Sequence, residues 1–116
     1  ASLVALKAYD KAAVATARMT HTIQEERNTH GKLVASAAAG SGDPGCAFIA
    51  RMVYAFQTRT HLFLATEWCP GGELYFHLQV ARRLSEARAR LCVAEVALAL
   101  DALHRRGVVY RDVEPE

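Results

Sequence analysis

Apolar and polar positions along the chain alternate between short strand-like runs and helical stretches. Ser2 to Ala8 (Ser-Leu-Val-Ala-Leu-Lys-Ala) has strand character broken by a single charge. Residues 9–16 are Ala-rich and are expected to form a loop. A charged helix begins near Ala17 and should fray before Lys32, because Asn28-Thr29-His30-Gly31 ends its apolar stripe. Val34 to Gly45 is small, turn-rich and aperiodic, the pattern of a flexible linker or inserted loop. Strand-like density returns at Phe48 to Phe56. It recurs at His61 to Glu67, where Leu62, Leu64 and Thr66 share a face. The polar turn Gln57-Thr58-Arg59-Thr60 between them predicts an antiparallel hairpin.

Trp68-Cys69-Pro70-Gly71-Gly72 then breaks the strand and acts as a connector, followed by a short helix from Glu73 to Gln79. Ser85 is a good N-cap for a long helix, Glu86 to Arg106, with Glu86 in the first turn where the helix dipole favours an anion. Cys92, Val96, Ala99 and Leu103 form one stripe, and Leu91, Val93, Leu98 and Leu100 add apolar residues on other faces. A helix buried on most sides is expected. Its basic last turn (His104, Arg105, Arg106) closes on Gly107, which suits a left-handed position. Val108 and Val109 form a two-residue apolar strand that delivers Tyr110-Arg111-Asp112 into a loop.

Composition narrows the class more than it identifies it. At 116 residues the chain fits one domain at most. With 52% apolar and 22% charged residues it has the composition of a folding chain rather than a disordered one. The net charge of +2 argues for neither nucleic acid nor a membrane surface as partner. No apolar run reaches the ~20 residues a membrane span requires, and no signal core follows a basic start, so an intracellular, cytoplasmic protein is expected. Cys46, Cys69 and Cys92 share no C-x-x-C spacing and are read as reduced thiols. The five histidines are not paired at ligand spacing, so no metal site is expected.

Two stretches carry candidate chemistry. In a strand Ala5 and Lys7 project to the same side, where a small residue beside an ammonium suits a flat ring over the alanine with phosphates reaching the lysine. The stretch alone also fits an edge strand with a solvated lysine. Glu25 and Glu26 on the first long helix point about 100° apart, so only one can face a given partner.

Strand with lysine, helix with glutamate, hairpin, Gly-Gly connector, long helix and Tyr-Arg-Asp loop occur in an order that resembles one family. Val-Ala-Leu-Lys, His-Thr-x-x-Glu, Tyr54-Ala55-Phe56-Gln57-Thr58, Gly-Gly-Glu-Leu and Tyr110-Arg111-Asp112 followed by x-x-Pro-Glu are similar to the AGC group of serine/threonine protein kinases. The resemblance covers nearly the whole chain outside Val34 to Gly45. It implies an α+β chain with part of the bilobal kinase fold: antiparallel small-lobe strands plus one helix, a hinge, then two helices of the large lobe. The implied division is 1–67, 68–72 and 73–116.

The resemblance further implies ATP-dependent phosphoryl transfer to protein hydroxyls, with ATP and Mg²⁺ as cofactors and a protein as substrate. Lys7 would hold the α- and β-phosphates and pair with a helix carboxylate, Glu25 by the His-Thr-x-x-Glu match, with Glu26 as the other candidate. Ala5 would lie against the adenine with Thr66 behind it. Glu67 and Cys69 would offer hinge backbone groups to the adenine edge, and Glu73 would reach the ribose or a basic substrate residue. Arg111 would anchor an activation-loop phosphate, and Asp112 would orient the attacking hydroxyl and accept its proton.

Three departures from the family pattern bear on activity. The Gly-rich loop, the metal-binding Asn and the Asp-Phe-Gly segment are not among these 116 residues, so the resemblance implies a truncated catalytic domain, inactive alone. Glu114 stands where the family has a lysine and would repel a γ-phosphate. Thr29 replaces a large apolar residue on the helix. A pseudokinase or non-catalytic interaction module is therefore the alternative, self-associating through core surface left uncovered.

Overall fold

The computed structural model describes residues 3–38 and 42–115 and divides the chain into two compact units. The first comprises Ala1–Gly42 with Ala50–Trp68, and the second Asp43–Ile49 with Cys69–Glu116. The segment Asp43–Ile49 therefore belongs with the later part of the chain, which a contiguous division at the connector does not provide for.

In the first unit, strands β1 (Val4–Asp10), β2 (Met52–Gln57) and β3 (His61–Glu67) form an antiparallel sheet in the order β1-β3-β2. The architecture is α+β, as the resemblance implies. The hairpin is also where the pattern places it: Thr58 donates its N–H to the His61 carbonyl at 2.8 Å, and Phe56 lies opposite Phe63 with ring centroids 4.9 Å apart. Stacked aromatics facing each other across two strands help to fix register. A register shift between Met52 and Tyr54 marks a bulge near the start of β2. Leu64 and Ala65 of the central strand are buried.

Two expectations for this unit fail for identifiable reasons. Residues 9–16 are not a loop: Lys11–Thr16 form helix α1, because the Asp10 carboxylate accepts the N–H groups of Ala12 and Ala13 at 2.8 and 3.0 Å, and the alanines that follow are strong helix formers. Helix α2 starts at Thr20 rather than near Ala17 and runs to Ala38, straight through Gly31. Ile23 and Leu33 are both buried and lie ten residues apart, so packing on either side of the polar stretch carries the helix across weak formers.

The second unit is built on α3 (Leu74–Ala81) and α4 (Glu86–His104) with the 3₁₀ helix Pro44–Phe48. Ser85 caps α4, its hydroxyl accepting from the Arg88 N–H at 3.4 Å. At the other end the Gly107 N–H donates to His104 and the Val108 N–H to Leu103, a Schellman closure with Gly107 at φ +73°. Val108 and Val109 do not form a strand. Nor is α4 buried on most sides: only Ala102 and Leu103 are buried, whereas Leu91 and Val93 are 60% and 68% exposed.

The segment from Val34 to Gly45 is not a free linker throughout. Its middle lies outside the described residues, but α2 occupies its start and its end is an anchor. Asp43 caps the 3₁₀ helix through the Gly45 N–H at 3.1 Å and forms an ion pair with Arg106 at 2.8 Å. Gly45 lies so close to α4 that an added Cβ would sit 2.1 Å from the Leu98 carbonyl oxygen.

Candidate active site

In the first unit, Lys7 sits mid-strand on the same side of β1 as Ala5 and Tyr9. Their partners across the ladder are Leu64, Thr66 and Leu62, so Ala5 and Thr66 are direct neighbours, as a surface for one flat ring requires. The Lys7 ammonium donates to Glu26 Oε1 at 2.9 Å.

Of the two candidate partners, Glu25 and Glu26, the lysine is paired with Glu26 in this structure, not with the Glu25 of the motif match. Ile23, Glu26, His30 and Leu33 follow helical spacing; Ile23 and Leu33 are buried and Glu26 and His30 half-buried, so this stripe is the packed side of α2. Glu25, about 100° away around the helix, is exposed. The rotation of α2 is thus set by its apolar anchors, which a match to His-Thr-x-x-Glu does not register.

The structure adds a residue that the sequence reading missed. The Tyr9 hydroxyl donates to Glu26 Oε2 at 3.2 Å, so each carboxylate oxygen has a donor from β1. Burial foremost, and then the Glu26 charge, hold the Tyr9 phenol above its ordinary pKa, with Lys7 acting in the opposite direction. Burial depresses the His30 imidazole, opposed by Glu26 and reinforced by Lys7. The Lys7-x-Tyr9 spacing on a strand was the available signal for Tyr9. A cleft of about 400 Å³ elsewhere on this unit, lined by Val14, Ile23, Leu62 and Phe63 among others, includes none of the predicted site residues.

At the end of β3, Glu67 exchanges backbone and side-chain bonds with Arg51: its N–H donates to the Arg51 carbonyl at 2.9 Å and its carboxylate accepts the Arg51 N–H at 3.0 Å. A contact from Glu67 to a hinge ligand would therefore fall to its carbonyl.

In the second unit, Cys69 is exposed and Gly72 turns the connector at φ +73°. Glu73 stands at the N-cap of α3 but makes no side-chain capping bond, and it is exposed. Asp112 lies on an exposed loop preceded by Arg111 at φ +63°, a left-handed conformation uncommon for a residue with a long side chain. The Pro115 carbonyl, three residues beyond Asp112, accepts the Tyr75 N–H of α3 at 2.6 Å, tying the loop to the helix start. Glu114 is exposed in the same loop.

A lysine–glutamate pair between strand and helix, and an Arg-Asp loop after a capped helix, are features that protein kinases also carry. All 116 residues match the model of the protein kinase domain. The chain is 42% identical over 106 residues to serine/threonine-protein kinase sck2 of Schizosaccharomyces pombe, covering 91% of this chain and 15% of that protein. It is 45% identical over 98 residues to serine/threonine-protein kinase SCH9 of Saccharomyces cerevisiae, covering 84% and 11%. With rabbit (Oryctolagus cuniculus) protein kinase C zeta type it shares 45% over 74 residues, 64% of this chain and 12% of that protein. The chain belongs to the protein kinase domain family, and its relatives are serine/threonine kinases of the AGC type. It spans about 15% or less of the length of these relatives.

Proposed function

We propose that this chain supplies the phosphate-gripping lysine and the hydroxyl-orienting aspartate of an ATP-dependent protein serine/threonine kinase. The Lys7–Glu26 pair carries the reading. An exposed lysine left alone samples many rotamers, and a carboxylate on a neighbouring helix narrows that set and aims the ammonium. In the first unit Ala5 and Thr66 support an adenine beside it, with the Glu67 carbonyl as the group for its edge; by the resemblance, Cys69 would add a hinge backbone group and Glu73, not engaged in capping, would meet a ribose or a basic side chain. ATP, when bound, supplies the transferred phosphoryl group; Lys7 holds its charge and Asp112 orients the acceptor hydroxyl and takes up its proton.

Among the described residues no group of three or more His, Cys, Asp or Glu side chains could hold a metal ion. A Mg²⁺ implied by the resemblance would rest mainly on the phosphates of a bound nucleotide, which requires no such group, and no step of the reading passes through it. No helix among the described residues is long and apolar enough to cross a membrane, and an intracellular location remains part of the proposal.

A non-catalytic interaction module is the second reading, favoured by Glu114 in the Asp112 loop and by the exposed Leu91 and Val93 of α4, which suit self-association. Titration calorimetry with ATP and Mg²⁺ separates the two. Binding that Lys7→Met weakens supports the kinase reading, and no heat at millimolar nucleotide removes it. Sedimentation at rising concentration tests the module.

A further inference from the structure

We propose that Tyr9 is a positioning residue that fixes the Glu26 carboxylate against Lys7 through its hydroxyl. Its catalytic meaning rests on the kinase reading above; the contact itself does not.

The Lys7–Glu26 pair is open to water, with the lysine side chain 61% and the glutamate side chain 31% exposed. An ion pair in that setting contributes little stability and defines geometry poorly, because solvent screens it and both side chains keep rotational freedom. A carboxylate held by one oxygen can still pivot about its last torsion, which is broad. The second donor removes that freedom. Lys7 and Tyr9 are two residues apart on β1, share a face, and are held in register against Leu64 and Leu62 of the central strand. Glu26 Oε1 receives the ammonium at 2.9 Å and Oε2 the phenol at 3.2 Å. Tyr9 is half-buried, which restricts the positions its ring can take. Because the phenol is neutral, it orients Glu26 without competing with Lys7 for phosphate. Burial of the phenol and its raised pKa agree with a hydroxyl that stays protonated and donating.

The test compares wild type, Tyr9→Phe, Glu26→Gln and the double variant in the full chain, with two readouts. In nucleotide-free protein, the acylation rate of Lys7 by a neutral water-soluble reagent is measured by mass spectrometry. Tyr9→Phe keeps the ring, so a packing role is preserved and only the hydroxyl is lost. The expected result is Lys7 acylation about threefold faster in Tyr9→Phe, with no further effect of Tyr9→Phe in the Glu26→Gln background. Unchanged acylation in Tyr9→Phe, or an equal increase in both backgrounds, overturns the proposal. The second readout is affinity for ATP with Mg²⁺. If Lys7→Met leaves that affinity unchanged the kinase reading fails, while the acylation result still decides the role of Tyr9.

Discussion

Arg106 and Asp43, 63 positions apart, close an ion pair at 2.8 Å in which both side chains are largely buried, at 16% and 13% exposure. Asp43 also accepts the Gly45 N–H, and Arg106 also donates to the Ala102 carbonyl, so the pair joins the cap of the 3₁₀ helix to the end of α4. Asp43→Ala removes both the charge partner and the cap, whereas Asp43→Asn retains an acceptor for the cap. Thermal melting followed by circular dichroism is expected to show a lower midpoint for both, with Asp43→Ala the lower.

The same pair sets an acid limit. The hydrogen bond from Arg106 and that from the Gly45 N–H outweigh desolvation and hold Asp43 below the usual aspartate range; the N–H groups of Ala13 and Ala12 do the same for Asp10. A depressed carboxylate contributes its stability fully above the unfolded-state pKa of about 3.9 and loses it as pH falls through the lower folded value. Denaturant midpoints measured downward from about pH 5 should therefore fall with pH, and the fall should shrink in Asp43→Asn and in Asp10→Asn.

Close packing at Gly45 gives a sharper expectation. A Cβ there would meet the Leu98 carbonyl oxygen at 2.1 Å and the Ala102 side chain at 2.9 Å. Backbone cannot yield as a flexible side chain does, so Gly45→Ala should cost about 1–3 kcal/mol in unfolding free energy. Gly107→Ala should cost about 1–2 kcal/mol for a different reason, the left-handed φ of the α4 closure. Urea titration of both variants distinguishes them from Gly31→Ala, where the added methyl meets nothing within 4 Å and the helix gains propensity.

These glycines show what sequence made legible. The Gly107 closure, the Ser85 cap and the hairpin turn depend on residues close together in the chain, and each lies where local chemistry places it. Gly45 and Asp43 look like linker in the sequence because their partners, Leu98, Ala102 and Arg106, lie more than fifty residues away and leave no local periodicity. The sequence pattern ends helix α2 early for a related reason: Leu33 is an apolar residue after a polar gap, and its burial accounts for the continuation. The exposed flank of α4 went the other way, since apolar residues around a helix fit a buried pillar as well as the surface seen here. At the site, Lys7 and its strand face were readable, but the choice between two adjacent glutamates was set by Ile23 and Leu33 packing.

His30 gives a pH dependence on the opposite side of the range. Burial depresses its imidazole, with Glu26 and Lys7 acting in opposite directions. The unfolded chain then binds more protons than the folded one between the folded value and the ordinary pKa of about 6.5, so stability is lost as pH falls through that interval. His30→Gln should flatten the difference between urea midpoints at about pH 7.5 and about pH 5.5, and an undiminished slope would place its origin elsewhere.

Glutamate choice gives the most direct functional test of the site. If Lys7 is aimed by Glu26, neutralising Glu26 while keeping its shape removes the ion pair and the charged acceptor for Tyr9, whereas neutralising Glu25 changes only an exposed side chain. Affinity for ATP with Mg²⁺ should fall about three- to fivefold in Glu26→Gln, the size expected of an exposed ion pair, and stay within about twofold in Glu25→Gln. Both variants should melt close to wild type, since neither residue is buried. Equal losses in the two would mean that α2 turns when nucleotide binds and that the pairing seen here is not the one used. A loss confined to Glu25→Gln would return the role to the His-Thr-x-x-Glu match, with Glu26 and Tyr9 left as a structural contact.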